Sequence, residues 1–196
     1  MIHILILIII VFITYIIVKM HYENHNAEVD YVTTDLDQRS YLVRNLPNKD
    51  DAAKLLALIR ERLTRLVAHL HVKYPQDKRI GRLLEKFDPD HITESSANSE
   101  YTSYSINKGE KIVFCLRQRD EREDLLDINT MMFVAIHELS HIMTESIGHT
   151  QEFWDNMKFL LDVAMSNEVQ VYRYQPYHTN PQQYCGTMIS DTPLKL

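Results

Sequence analysis

The sequence predicts an α+β fold: a small antiparallel sheet packed on one buried helix, preceded by an N-terminal transmembrane helix. Three observations carry this reading. The opening stretch MIHILILIIIVFITYIIV is almost purely apolar. Two later stretches, beginning near Asp50 and near Asp127, place apolar residues at helical spacing. Between them, YTSYSINKGEKIVFCLR alternates apolar and polar residues as a β-hairpin does.

Composition bounds the function. The 196 residues suit one ordinary domain with a modest appendage. A hydrophobic content of 45% and a charged content of 24% are globular values. The formal net charge of −6 offers no basic field to draw in nucleic acid, which is therefore not an expected partner. Cys115 and Cys185 lie far apart and in no CxxC arrangement, so they make neither a disulfide framework nor a cysteine zinc site; a single bridge between them stays open.

Residues 1–19 read as a membrane anchor. The apolar run of residues 1–18, at about 1.5 Å per residue, reaches roughly 27 Å, near the thickness of a hydrocarbon core. No Lys or Arg precedes it and its residues are bulky throughout, which favours a retained anchor over a cleaved signal peptide. The expectation is a single-pass membrane protein, and Lys19 weakly directs the following domain to the cytoplasmic side. Residues 20–47 are polar and irregular and read as a linker, with Pro47 at a boundary before the domain at 48–196.

Within that domain, Leu55, Leu56, Ile59, Leu63, Leu66, Val67 and Leu70 form the stripe of a long amphipathic helix that ends before Pro75. Asn48 or Asp50 can cap its start. A short helix follows over Arg79–Phe87, and residues 88–99 read as loop. The hairpin turns at Asn107-Lys108-Gly109, with Ile112, Phe114 and Leu116 on one face of its second strand. Asp127 caps the next helix, expected to run to about Ser146 and to be buried because it is apolar almost all round. Gly148 supplies a stop, and Thr150 caps a last helix with Phe153, Trp154, Met157, Leu160 and Leu161 in its stripe. EVQVYRY, from Glu168, is a possible strand before a Tyr/Pro/Gln-rich tail.

The chemistry concentrates in VAIHELSHIMTESIGHTQEFW, residues 134–154. His137 and His141 are one turn apart on the third helix, roughly 40° from each other at about 100° per residue, so both imidazoles project from one face. Two nitrogen donors at i, i+4 are a preformed grip on zinc, and composition alone predicts only roughly 0.03 HExxH motifs in a chain like this. Glu138, rotated by about 100°, sits beside such a metal where a base for an attacking water belongs. A third ligand is needed. Gly148 allows the chain to reverse and bring His149 over the same face, while Glu145, one turn beyond His141, is the competitor.

HELSH followed by GHTQEFW resembles the WLM/SprT-like group of zinc metallopeptidases, a zincin-like family in which HE-[LM]-x-H precedes a short loop, a third metal histidine and an aromatic-rich helix. The resemblance covers roughly residues 50–165, and its specific part is about 20 residues. It implies His137, His141 and His149 as ligands of one catalytic zinc ion, Glu138 as the catalytic acid/base, and a protein or peptide substrate. An extended substrate would lie beside strand Lys111–Arg117, and Tyr172, Tyr174, Tyr184 or His178 would supply an oxyanion donor. The expected function is that of a membrane-anchored zinc metallopeptidase, with residues 1–18 as its membrane contact. Two alternatives stay open: a protease acting on DNA-bound proteins, and a non-catalytic, zinc-stabilised binding module.

Outside this stretch, His69, His71, His91 and His178 read as surface or helix-end histidines. Cys115, Cys185, Phe153 and Trp154 read as packed core residues, and RDERED reads as a solvated loop.

Overall fold

A computed structural model describes residues 2–25 and 28–194, and the side chains of these except 3–5 and 21–25. The architecture is mixed α+β. Five helices are described: α1 (Ile2–His25), α2 (Lys49–Lys73), α3 (Lys78–Lys86), α4 (Ile128–Met143) and α5 (Gln151–Met165). They combine with seven short strands: β1 (Val29–Thr33), β2 (Ser40–Arg44), β3 (Ile92–Glu94), β4 (Tyr104–Ile106), β5 (Lys111–Phe114), β6 (Gln182–Tyr184) and β7 (Thr187–Ile189).

The expected membrane anchor is corrected. Met1 and the side chains of residues 3–5 lie outside the described residues. Among the described residues no helix is long and apolar enough to cross a membrane. The single-pass placement, its cytoplasmic orientation and the membrane contact through residues 1–18 fall with it.

The helices of the domain form where periodic burial places them. α2 buries Leu56, Ile59, Leu63, Leu66 and Leu70, one face of a 3.6-residue period. Asn48 precedes it without a side-chain cap; its Oδ1 accepts from Arg117 Nη1 instead. Asp77 caps α3 by accepting from Arg79 N–H, and Asp127 caps α4 by accepting from Asn129 and Thr130 N–H. α4 is the central element: Met131, Met132, Ala135, Ile136, Leu139, Ile142 and Met143 are all fully buried. It packs against α2, α3, α5 and β4. It ends at Met143, earlier than expected, and Gly148 (φ 84°) lies in the loop beyond rather than at the helix end.

The sheets depart from expectation in four places. The linker at 20–47 holds an antiparallel hairpin, β1 with β2, in register Val29 with Arg44. Both strands pack on α2, so residues 29–44 belong to the packed structure. Residues 88–99 contribute β3, which pairs parallel to β5. The central sheet is therefore mixed, in order β3-β5-β4. EVQVYRY forms no strand; Val171 N–H bonds back to Ala164 O, and Val171 O accepts from Arg62 Nη1. A last antiparallel hairpin, β6 with β7, turns at Cys185 (φ 49°) and Gly186 (φ 79°), a two-residue turn with both φ positive that matches strand twist. Cys115 and Cys185 are joined in a disulfide, so neither is a free packed thiol.

Gly109 is required where it stands. Its φ is 121°, and a Cβ there would lie 2.5 Å from Lys86 O, so the hairpin turn can press against the end of α3 only without a side chain.

Candidate active site

α4 presents His137 and His141 on one face, and the loop after it returns His149 to them. His137 Nε2 lies 3.2 Å from His141 Nε2 and 3.1 Å from His149 Nε2. The three residues offer ligand atoms all within 4.8 Å of one another. Two nitrogens about 2.0–2.1 Å from one tetrahedral ion would stand roughly 3.3 Å apart, so this spacing fits a single zinc-sized cation. Phe153, fully buried, underlies all three rings at centroid distances of 4.9, 4.4 and 4.7 Å from His137, His141 and His149. Burial pushes the His137 imidazole down to about 3, with His141 and His149 adding repulsion. Burial likewise lowers His141 to about 4. Both rings are therefore neutral near pH 7, the form that ligates metal.

Glu138 points elsewhere on α4 and is buried. Burial pushes its carboxyl up to about 7, opposed by hydrogen bonds from the Ser105 side chain and backbone on β4. A cleft of about 440 Å³ opens over the group, with Ser103, Ser105 and Lys108 on one wall and Gly148 and His149 on the other.

The start of the loop that carries His149 is held from two sides. Lys108, in the hairpin turn, donates from Nζ to Thr144 O (3.0 Å) and Glu145 O (2.7 Å). These are orphan carbonyls at the end of α4, satisfied by a cation as the helix dipole favours. From α5, the Glu152 carboxylate accepts from Glu145 N–H (2.9 Å) and Ser146 N–H (3.2 Å).

The predicted site residues sort clearly. His137, His141 and His149 converge, and Glu138 sits beside them. Glu145 does not join; its side chain is 80% exposed and pairs with Arg82 at 3.0 Å. His69 faces Glu168 at 3.3 Å and His91 faces Asp88 at 2.9 Å. Of the four oxyanion candidates, Tyr184 alone lines a cavity with His137 and Glu138, its hydroxyl 2.5 Å from Ser103 Oγ. Tyr172 packs with Phe133 instead. The proposed substrate strand is corrected: β5 is the middle strand and paired on both sides, while β4 is the edge that faces the cleft. Ser105, Lys108 and Glu152 had no signal in the sequence, since each looks like an ordinary polar loop or helix-start residue. Phe153 is core as expected, but Trp154 is half-exposed and lies 5.7 Å from the His149 ring.

The chain is similar to known proteins. The WLM domain family matches residues 35–192. Protein R325 of Acanthamoeba polyphaga mimivirus is 32% identical over 173 residues, covering 86% of each chain. Protein 136R of Invertebrate iridescent virus 6 is 37% identical over 65 residues, covering 33% of this chain and 36% of that protein. Among solved structures, the crystal structure of Wss1 from Saccharomyces cerevisiae aligns with a TM-score of 0.46 at 22% identity, over 59% of this chain and 78% of Wss1.

Proposed function

The chain belongs to the WLM family, and from that premise we propose that it is a zinc-dependent peptidase of the HExxH type, with His137, His141 and His149 as the metal ligands and Glu138 as the acid/base. The observation that carries the reading is the meeting of three imidazole nitrogens beside a buried carboxyl, on the floor of an open cleft. A zinc ion held there supplies Lewis acidity to the attacking water and the scissile carbonyl.

The chain's own groups do the rest. Glu138 takes the proton of the attacking water and delivers it to the leaving amine; a carboxyl raised to about 7 exchanges a proton readily near neutrality. Ser105 aims that carboxyl through its hydrogen bonds. An extended peptide lies along β4, the edge strand that lines the cleft. Tyr184 donates from its hydroxyl to the oxyanion that develops on the peptide carbonyl.

The test is Glu138→Gln. The variant keeps one zinc per chain by metal analysis and loses peptide hydrolysis by at least about a hundredfold. A zinc-loaded variant that cleaves at the wild-type rate removes Glu138 from the reaction.

A further inference from the structure

Phe133 and Val134 precede His137 and Glu138 by one turn of α4, and therefore project on the same side of the helix as the site. Trp154 and Met157 approach from α5, and Met188 and Ile189 from β7. These six line a second cavity, of about 300 Å³. It shares Thr102, Ser103, His137 and Glu138 with the cleft over the triad, so it opens off that cleft at the position of the reacting carboxyl. Its outer wall is apolar yet wet: Met188 is 54% exposed and Trp154 36%. Exposed apolar groups gathered around a concavity mark a binding surface. Its acidic lining groups are Glu138 and Asp191, with no Lys or Arg among the lining residues.

We propose that this cavity selects the substrate, taking a large apolar side chain of the Leu, Met or Phe kind at one position beside the cleaved bond. The inference rests on the reading of the site as a peptidase and adds its specificity. An apolar side chain releases water from itself and from Met188 and Trp154 together. An acidic side chain is stripped of water on entering and meets no Lys or Arg in the lining. A basic side chain also loses water on entering: of the two acidic lining groups, Asp191 is exposed and stays solvated, and Glu138 is committed to the reaction. The two methionines adapt their shape, so the pocket distinguishes apolar from charged sharply and Leu from Phe weakly.

The experiment digests a random peptide library with the zinc-loaded full chain and reads the cut sites by mass spectrometry, alongside Glu138→Gln and Met188→Lys. The expected result is that Leu, Met and Phe exceed Asp and Glu at one flanking position by at least about tenfold in kcat/KM. Met188→Lys, placed on an exposed residue, raises acceptance of Asp and Glu at that same position by about tenfold. Hydrolysis that depends on Glu138 but shows a flat profile, a preference for Lys or Arg, or a profile untouched by Met188→Lys overturns the pocket and leaves the peptidase reading intact. Absence of any Glu138-dependent hydrolysis overturns both.

Discussion

Cys115 is bonded to Cys185 across 70 residues of chain, with their Cα atoms 6.3 Å apart. The bond fastens the turn of the β6–β7 hairpin to the end of β5, beside the candidate site. Cys115 N–H donates to Ser103 Oγ (3.1 Å), and Ser103 Oγ lies 2.5 Å from the Tyr184 hydroxyl. The hairpin that carries Tyr184 and Met188 is thereby held against the cleft.

Replacing both cysteines with Ala removes that constraint from the unfolded chain. For a closed loop of this length the loss is about 4 kcal/mol. The double variant melts at a lower temperature, and its hydrolysis falls because Tyr184 is no longer held, while zinc binding persists because the triad lies on α4 and its following loop. Calorimetry with a metal assay and a peptide assay separates these effects. A double variant that melts and cleaves like the parent would mean that packing alone holds the hairpin.

Glu94 and Arg117 form a buried pair at 2.7 Å, with side chains 1% and 2% exposed. Glu94 Oε2 also accepts from Arg44 N–H at 2.7 Å, and Arg117 Nη1 donates to Asn48. The pair therefore joins β2, β3, the end of β5 and the start of α2. Arg117→Met leaves a buried carboxylate without its cation and is expected to cost about 3–5 kcal/mol. Adding Glu94→Leu removes the orphaned charge and recovers part of the loss, but leaves Arg44 N–H unpaired, at about 1–3 kcal/mol. Urea unfolding of the two variants checks the order. Equal stability of the single and double variants would show that the charge is not what matters.

Glu152 carries a pH dependence in the loop between the histidines. Hydrogen bonds from Glu145 N–H, then from Ser146, hold its carboxyl down to about 2, against an ordinary 4.5. A carboxyl depressed on folding contributes stability that is present above the ordinary value and lost as pH falls toward about 2. The amides of Glu145 and Ser146 should thus lose exchange protection between pH 4.5 and 2 in the wild type. In Glu152→Gln the same two amides should show no such step. Parallel profiles in the two proteins would show that another group controls the loop.

The helices and the His-Glu-His face were legible because their information is local. α2 and α5 repeat burial every three or four residues, α4 is apolar almost all round, and HELSH places its ligands one turn apart on a single element. β3 was not legible: three residues long, it contains Glu94, which is buried only because Arg117, 23 residues onward, neutralises it. β1 and β2 sit among polar residues that read as tether, and only their packing on α2 shows otherwise. EVQVYRY alternates like a strand, but Val171 bonds to the end of α5 and to Arg62, leaving no partner strand to complete a ladder. Apolarity alone suggested a membrane span at the N-terminus, but among the described residues no helix is long and apolar enough to cross a membrane. Lys108 acts on carbonyls 36 and 37 residues onward, and Glu152 on amides of the preceding loop, and bonds to backbone groups leave no residue pattern in the sequence.

His149 and Glu145 are separated by four residues and by their chemistry, and metal affinity should tell them apart. His149 Nε2 is 3.1 Å from His137 Nε2, whereas the Glu145 side chain is directed to Arg82. His149→Ala leaves two imidazoles and solvent, and should weaken zinc binding by at least about a hundredfold. Glu145→Ala removes an exposed ion pair that contributes little, and should leave zinc affinity within about twofold of the parent. Competition titration against a chromophoric chelator measures both. Since Phe153 underlies the rings and Lys108 and Glu152 hold the loop, the His149→Ala fold should survive, and circular dichroism confirms that any lost affinity belongs to the missing imidazole. If Glu145→Ala weakens zinc and His149→Ala does not, the carboxylate is the third ligand and the triad reading fails.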